Sequence, residues 1–157
     1  YKQPAKLGDD RWCTIVGLYK LYNKPLLIVD CGSAITLDCV NDGGKHLGGY
    51  IFSGSDGYKV SFTNLHNLKN IKLNNINSIK NFKPSKSTNE AILEGYILMV
   101  TSAIEKLYKD FSIQQVKKPL LIIGGGYGQI ISKSLSVKNK YEPDLVLKCL
   151  GLIADRR

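Results

Sequence analysis

The stretch Pro25–Val40, "PLLIVDCGSAITLDCV", decides the fold. Its first half is an apolar run that ends on Asp30 and turns at Gly32, the pattern of a buried strand. Its second half, "AITLDCV", carries the Ile, Thr and Val that favour extended structure. The "NDGG" at Asn41–Gly44 is a strong turn signal. "KHLGGYIFSG", Lys45–Gly54, reads as a third strand, and its Gly48 and Gly49 suggest close backbone approach. Three strands in direct succession predict an antiparallel β-meander.

Upstream, apolar residues at Trp12, Ile15, Val16, Leu18, Tyr19 and Tyr22 recur at helical spacing. Asp9 or Asp10 is available as the cap, and "NKP" ends the segment. Downstream, residues 55–68 are expected to be helical, and 67–84 is an Asn, Lys and Ile-rich connection with no functional reading. A long helix then starts at Ser87 or Thr88. Its predicted buried stripe is Ala91, Ile92, Leu98, Met99, Ala103, Ile104 and Leu107. "PLLIIGGGYG" is a further buried strand running into a glycine loop, followed by a short helix. A last helix has Pro143 near its N1 position. Strands, helix, strand, helix is the order of an α/β domain whose first strands are antiparallel.

At 157 residues and 43% apolar content, the chain is long enough for one packed domain and too apolar for disorder. The four cysteines form no C-x-x-C pair and have no histidine at ligand spacing, so free buried thiols are expected rather than a zinc site. No run is long enough to span a bilayer, and no leader pattern opens the sequence. The expectation is a soluble cytoplasmic protein. The net charge of +9 would suit nucleic acid or a phosphorylated small molecule. The lysines are scattered without aromatic interleaving, so no nucleic-acid and no membrane partner is expected.

Several stretches could carry chemistry. In "VDCGSAITLDC" turn amides and hydroxyls could cradle phosphate while a carboxylate holds a screening cation; an ordinary hairpin would use the same residues. The glycines of "LGGYIFSG" could admit a ligand or mark bulges. "IGGGYG" lies between a strand and a helix, as a nucleotide loop does, but matches neither G-x-G-x-x-G nor a P-loop. In "LGDDRW", Asp10 could accept a proton from a hydroxyl nucleophile and Arg11 could grip a carboxylate; a helix cap with a surface ion pair is the plainer alternative. His46 and His66 read as structural.

Taken in order, "YKQPAKLGDDRW", "VDCGSAITLD", "HLGGYIFSG", "STNEAILEG" and the glycine pair Gly125–Gly126 after a strand resemble the type III pantothenate kinases over nearly the whole chain. That resemblance implies the superfamily of acetate and sugar kinases, Hsp70 and actin. Its fold would be α/β and ribonuclease H-like (actin-like ATPase), a mixed sheet with an antiparallel meander and flanking helices. Residues 1–24 would close the first half-domain with a substrate-binding helix. Residues 25–157 would be the C-terminal ribonuclease H-like domain with a dimerisation surface.

The resemblance further implies ATP-dependent phosphorylation of pantothenate to 4'-phosphopantothenate in coenzyme A biosynthesis. The enzyme would be a homodimer with a composite active site, using Mg²⁺ and a monovalent cation, K⁺ or NH₄⁺. Carried over by position, Asp10 would be the base. Tyr1, Gly8, Arg11, Ile51 and Thr88 would contact pantothenate, Thr88 from the partner subunit, and Gly48 and Gly49 would lie on the bordering strand. Gly32, Ser33, Ala34 and Thr36 would line the phosphate side, Gly125 and Gly126 the adenine side, and Asp30 would ligate the monovalent cation.

The chain departs from the family pattern at Ser33, usually Thr, at Ser53–Gly54, usually Pro-Gly, and at Gly124, usually Thr. The change at Ser53 is expected to loosen its loop, and Gly124 to remove an adenine-side contact. The family's opening strand and ATP-phosphate loop have no counterpart before Tyr1, so the expectation is a fragment that is inactive by itself. Two other readings stay open: a transcriptional accessory or regulatory binding protein of the same fold, and a superfamily kinase acting on another small hydroxy acid.

Overall fold

A computed structural model describes residues 3–63 and 83–155. A short 3-10 turn, Pro4–Lys6, leads into α1 (Asp9–Tyr22). Then come β1 (Leu26–Cys31), β2 (Ala34–Val40), β3 (His46–Ser53) and α2 (Ser55–Thr63). The remaining elements are α3 (Thr88–Ile113), β4 (Leu120–Gly124), α4 (Gly128–Ser134), β5 (Lys140–Tyr141) and α5 (Leu145–Ala154). His66 and most of the 67–84 connection lie outside the described residues.

The five strands form one mixed sheet in the order β3-β2-β1-β4-β5. β1, β2 and β3 pair antiparallel as the predicted meander, while β4 runs parallel to β1 and β5 parallel to β4. β1 is therefore central, and alternate side chains leave it on opposite faces. Leu27, Val29 and Cys31 pack with Ile35, Leu37 and Cys39 of β2 under Tyr96, Ile97, Val100, Ile104, Tyr108 and Phe111 of α3. Leu26 and Ile28 pack on the other face with Val40, Ile122, Cys13, Ile15 and Leu18 of α1, and Leu145 and Cys149 of α5. Burial on both faces is why β1 reads as an unbroken apolar run.

The stripe of α3 is rotated from its expected position. Ile92 and Ile104 are buried as predicted, but Ala91, Leu98 (64% exposed) and Met99 (50% exposed) face outward. Ala103 and Leu107 are half-buried. Tyr96 and Tyr108 take the inward places, because each hydroxyl finds a carbonyl: Tyr96 donates to Ser53 O at 3.0 Å and Tyr108 to Pro119 O at 3.0 Å. A polar tip so satisfied lets the ring behave as core.

Helix starts also differ in detail. Gly8, not Asp9 or Asp10, is the N-cap of α1, and both carboxylates lie in its first turn, where the helix dipole favours them. Asp144 caps α5, so Pro143 precedes that helix. β5 was not anticipated, because two residues are too short to show a period. The loop at Ser53–Gly54 is pinned, not loosened. Gly54 N–H donates to Ser33 O at 3.1 Å, and Ser53 O receives the Tyr96 hydroxyl. Among the described residues, no helix is long and apolar enough to cross a membrane.

The rotated stripe is directly testable. Ile104→Ala, at a site with no solvent exposure, is expected to lower stability by about 2–5 kcal/mol in chemical denaturation. In the monomer, Leu98→Ala should change it by no more than about 0.5 kcal/mol; equal losses there would contradict the orientation of α3.

Candidate active site

The strand register sets the site. Gly124, Asp30, Thr36 and Ile51 pair in one row across β4, β1, β2 and β3. Ile28, Asp38 and Gly49 form the adjacent row. Directly paired residues share a face, so Asp30, Thr36 and Asp38 point to the side covered by α1. There the apolar packing of Leu26 and Ile28 gives way to polar groups, and the N-terminus of α1 stands over them. A cleft of about 530 Å³ opens at this point, within the usual size of a small-molecule site. Gly8, Asp9, Asp10, Arg11, Asp30, Gly32, Ser33, Ala34 and Thr36 line it.

The β1–β2 turn forms the floor and is held from three directions. Gly32 N–H donates to Ala34 O at 3.1 Å, Gly54 N–H to Ser33 O at 3.1 Å, and Tyr127 N–H to Cys31 O at 3.2 Å. Gly125, in the left-handed region at φ +83°, packs against this turn. A Cβ there would lie 2.5 Å from both Asp30 Oδ1 and Cys31 O, so no side chain fits. The glycine loop after β4 is thus the back wall of Asp30, in the crevice beyond the carboxyl ends of two parallel strands. At Gly124 a Cβ would meet Leu145 at 2.6 Å, so α5 occupies the space a side chain would need there.

Burial pushes the Asp30 carboxyl above the usual carboxylate range, and the negative charge of Asp10 pushes it further the same way. The charge of Asp10 is therefore felt at Asp30 across the cleft. Among the described residues no group of three or more His, Cys, Asp or Glu converges on a metal position. All four cysteines are free and buried, and burial holds Cys31 up at about 12 and Cys39 and Cys149 at about 11. They are unreactive thiols.

Arg11 is engaged as sequence reasoning did not foresee. Its Nε donates to Asp38 Oδ2 at 2.9 Å and its Nη2 to Asp38 Oδ1 at 2.6 Å. His46 Nε2 meets the same Oδ1 at 2.7 Å. Asp38 was visible only as the end of a motif. Its signal was a carboxylate at an inward position of an apolar strand, which calls for a buried cation.

Eight of the expected residues thus meet in one cleft: Gly8, Asp10, Arg11, Asp30, Gly32, Ser33, Ala34 and Thr36. Ile51 lies on the same face and in the row of Asp30, but stands outside the cleft and 60% exposed. Gly125 and Gly126 lie behind it. Thr88 is exposed at the first residue of α3, on the helix that covers the opposite face of the sheet. Tyr1 lies outside the described residues.

A family model described as type III pantothenate kinase matches residues 1–110. The type III pantothenate kinase of Chromohalobacter salexigens is 35% identical over 93% of this chain and 52% of its own length. That of Cellvibrio japonicus is 31% identical over 100% of this chain and 62% of its own. The chain therefore spans about half to three-fifths of the curated relatives it matches. Among solved structures, a conserved Baf family transcriptional activator from Campylobacter jejuni matches with TM-score 0.66 and 25% identity. That match covers 97% of this chain and 66% of the other. An activator of 2-hydroxyisocaproyl-CoA dehydratase from Clostridium difficile matches with TM-score 0.52 over 96% of this chain and 69% of its own. At 12% identity it shares the fold alone, the ribonuclease H-like, actin-like ATPase architecture.

The electrostatic link across the cleft has a measurable signature. Asp10→Asn removes the charge that raises Asp30, so the Asp30 titration followed by carboxyl ¹³C NMR should move down toward its ordinary range. The raised carboxyl contributes stability that is full below the ordinary value and is lost as pH rises through the folded-state value. That loss should shrink in Asp10→Asn; an unmoved Asp30 would rule out Asp10 as a cause.

Proposed function

This chain belongs to the type III pantothenate kinase family, and we propose that its cleft is the acceptor side of an ATP-dependent pantothenate kinase. The reaction would move the γ-phosphoryl group of ATP to the terminal hydroxyl of pantothenate, giving 4'-phosphopantothenate. The observation that carries this reading is that Asp10, Asp30 and the β1–β2 turn line one cleft although they come from separate motifs. The kinase names of the curated relatives support it.

Phosphoryl transfer asks the protein chiefly for positioning and charge balance. Asp10 would accept the proton of the attacking hydroxyl, from a place on the first turn of α1 that is open to the cleft. Gly8 and Arg11 would hold the rest of the acceptor, Arg11 toward its carboxylate. Gly32, Ser33, Ala34 and Thr36 would line the phosphate side, with the hydroxyls of Ser33 and Thr36 as donors. Asp30 would hold the monovalent cation, K⁺ or NH₄⁺. A buried carboxyl beside a second carboxylate is poor as a lone anion, so the residue present fits that role. Such a cation and Mg²⁺ supply positive charge to the phosphates when bound.

Gly125 and Gly126 would border the adenine side, while Tyr1, Ile51 and Thr88 would complete the acceptor pocket. Thr88 would do so in the partner subunit of a cytoplasmic homodimer, and the exposed Leu98 and Met99 of the same helix support an interface there. Residues 1–24 would belong to the first half-domain and 25–157 to the second. The regulatory reading rests on the description of the Campylobacter jejuni neighbour and on net charge, and the relatives' names weigh against it.

The test is a coupled ADP-release assay with pantothenate on the complete polypeptide that carries this chain. Asp10→Asn should lower kcat by about 10²-fold or more with the fold intact. An unchanged rate would return Asp10 to a purely structural role.

A further inference from the structure

We propose that Asp38 and His46 are positioning residues for Arg11, a buried carboxylate bonded from two sides that fixes the guanidinium at the cleft rim beside Asp10. The proposal rests on the kinase reading above and adds residues to it. Asp38 is 1% exposed, so its ionised side chain is tenable only when fully paired. Both of its oxygens are used. Arg11 takes them as a fork at 2.9 and 2.6 Å, which fixes the plane of the guanidinium as well as its place. His46 Nε2 then approaches Oδ1 at 2.7 Å, and because an ionised carboxylate only accepts, that nitrogen carries the proton.

The strand that brings His46 is shaped for this contact. In an unbroken ladder, with Gly49 opposite Asp38 and Gly48 opposite Cys39, His46 would fall on the α3 face. Instead the register slips between Cys39 and Val40, and His46 pairs with Val40 on the face of Asp38. A bulge re-aims a side chain in this way. Gly48 sits in the bulge at φ +110°, a conformation that L side chains rarely adopt. At Gly49, a Cβ would lie 1.8 Å from Leu37 O and 3.0 Å from Asp38 Oδ1. Three of the four residues of "HLGG" are thereby accounted for: His46 bonds the carboxylate, Gly48 builds the bulge, and Gly49 leaves room.

Stability alone does not call for this arrangement, since a buried ion pair gains little over well-packed apolar residues. Its position does have a use. Arg11 follows Asp10 directly in the first turn of α1, and both line the cleft. Fixing the guanidinium fixes the rim on which the acceptor would bind.

The test uses the complete polypeptide. Asp38→Asn keeps the shape and removes the charge that orients Arg11. KM for pantothenate should rise about tenfold or more, the scale of a lost charged hydrogen bond, with kcat within about threefold. His46→Leu should raise KM in the same direction, and His46→Gln, which restores an N–H donor, should recover it. An unchanged KM in a folded Asp38→Asn variant overturns the proposal. If that variant does not fold, equal KM values for His46→Leu and His46→Gln overturn it. Should the wild type fail to phosphorylate pantothenate, the functional reading falls instead. The Arg11 Nε–H resonance then decides the clamp: it should be sharp in wild type and His46→Gln and exchange-broadened in His46→Leu, and an identical signal in all three overturns the proposal.

Discussion

The central strand, β1, is covered on both faces, and most of the molecule follows from that. With α3 on one side and α1 and α5 on the other, Leu26 to Val29 have no route to solvent. Polar chemistry can appear only where the strand runs out. Asp30 is placed there, one residue before its end, and the chain must then reverse through a Gly-Ser-Ala turn that lines the cleft. The two cores thus fix the location of the cleft before any functional side chain is considered.

The cleft gathers negative charge that the fold does not neutralise locally. Asp10 is drawn to the first turn of α1, where the helix dipole favours it, and Asp30 is held by its strand. Neither can retreat from the other. Asp38, a short way along the same face, is treated differently: it is enclosed and given Arg11 and His46. One face of one sheet therefore carries one carboxylate enclosed by its partners and another, Asp30, that opens on the cleft beside Asp10.

Much of this was legible in the sequence. The meander, the long helix and the glycine loop after β4 announced themselves by apolar runs and turn residues. The cleft residues from Gly8 to Thr36 could be named from motif order. What could not be read has specific causes. The face of α3 was misjudged because tyrosines were not counted as core, and only the location of the Ser53 and Pro119 carbonyls shows that they can be. The partner of Arg11 was hidden because Asp38 lies 27 residues away, joined by packing and not by period. The glycines of "HLGG" fit a ligand or a bulge equally well as sequence; the register slip at Gly48 and the strand and carboxylate packed on Gly49 decide for the bulge.

Gly125 carries a wider consequence. Because the place of its missing Cβ is taken by Asp30 Oδ1 and by the backbone carbonyl of Cys31, position 125 is closed to every other residue whatever stands at 30. A shorter residue at 30 would clear only one of the two contacts, since the Cys31 carbonyl stays in place and the backbone keeps φ +83°. Glycine at 125 is therefore imposed by the main chain itself, independently of whether the carboxylate beside it is kept.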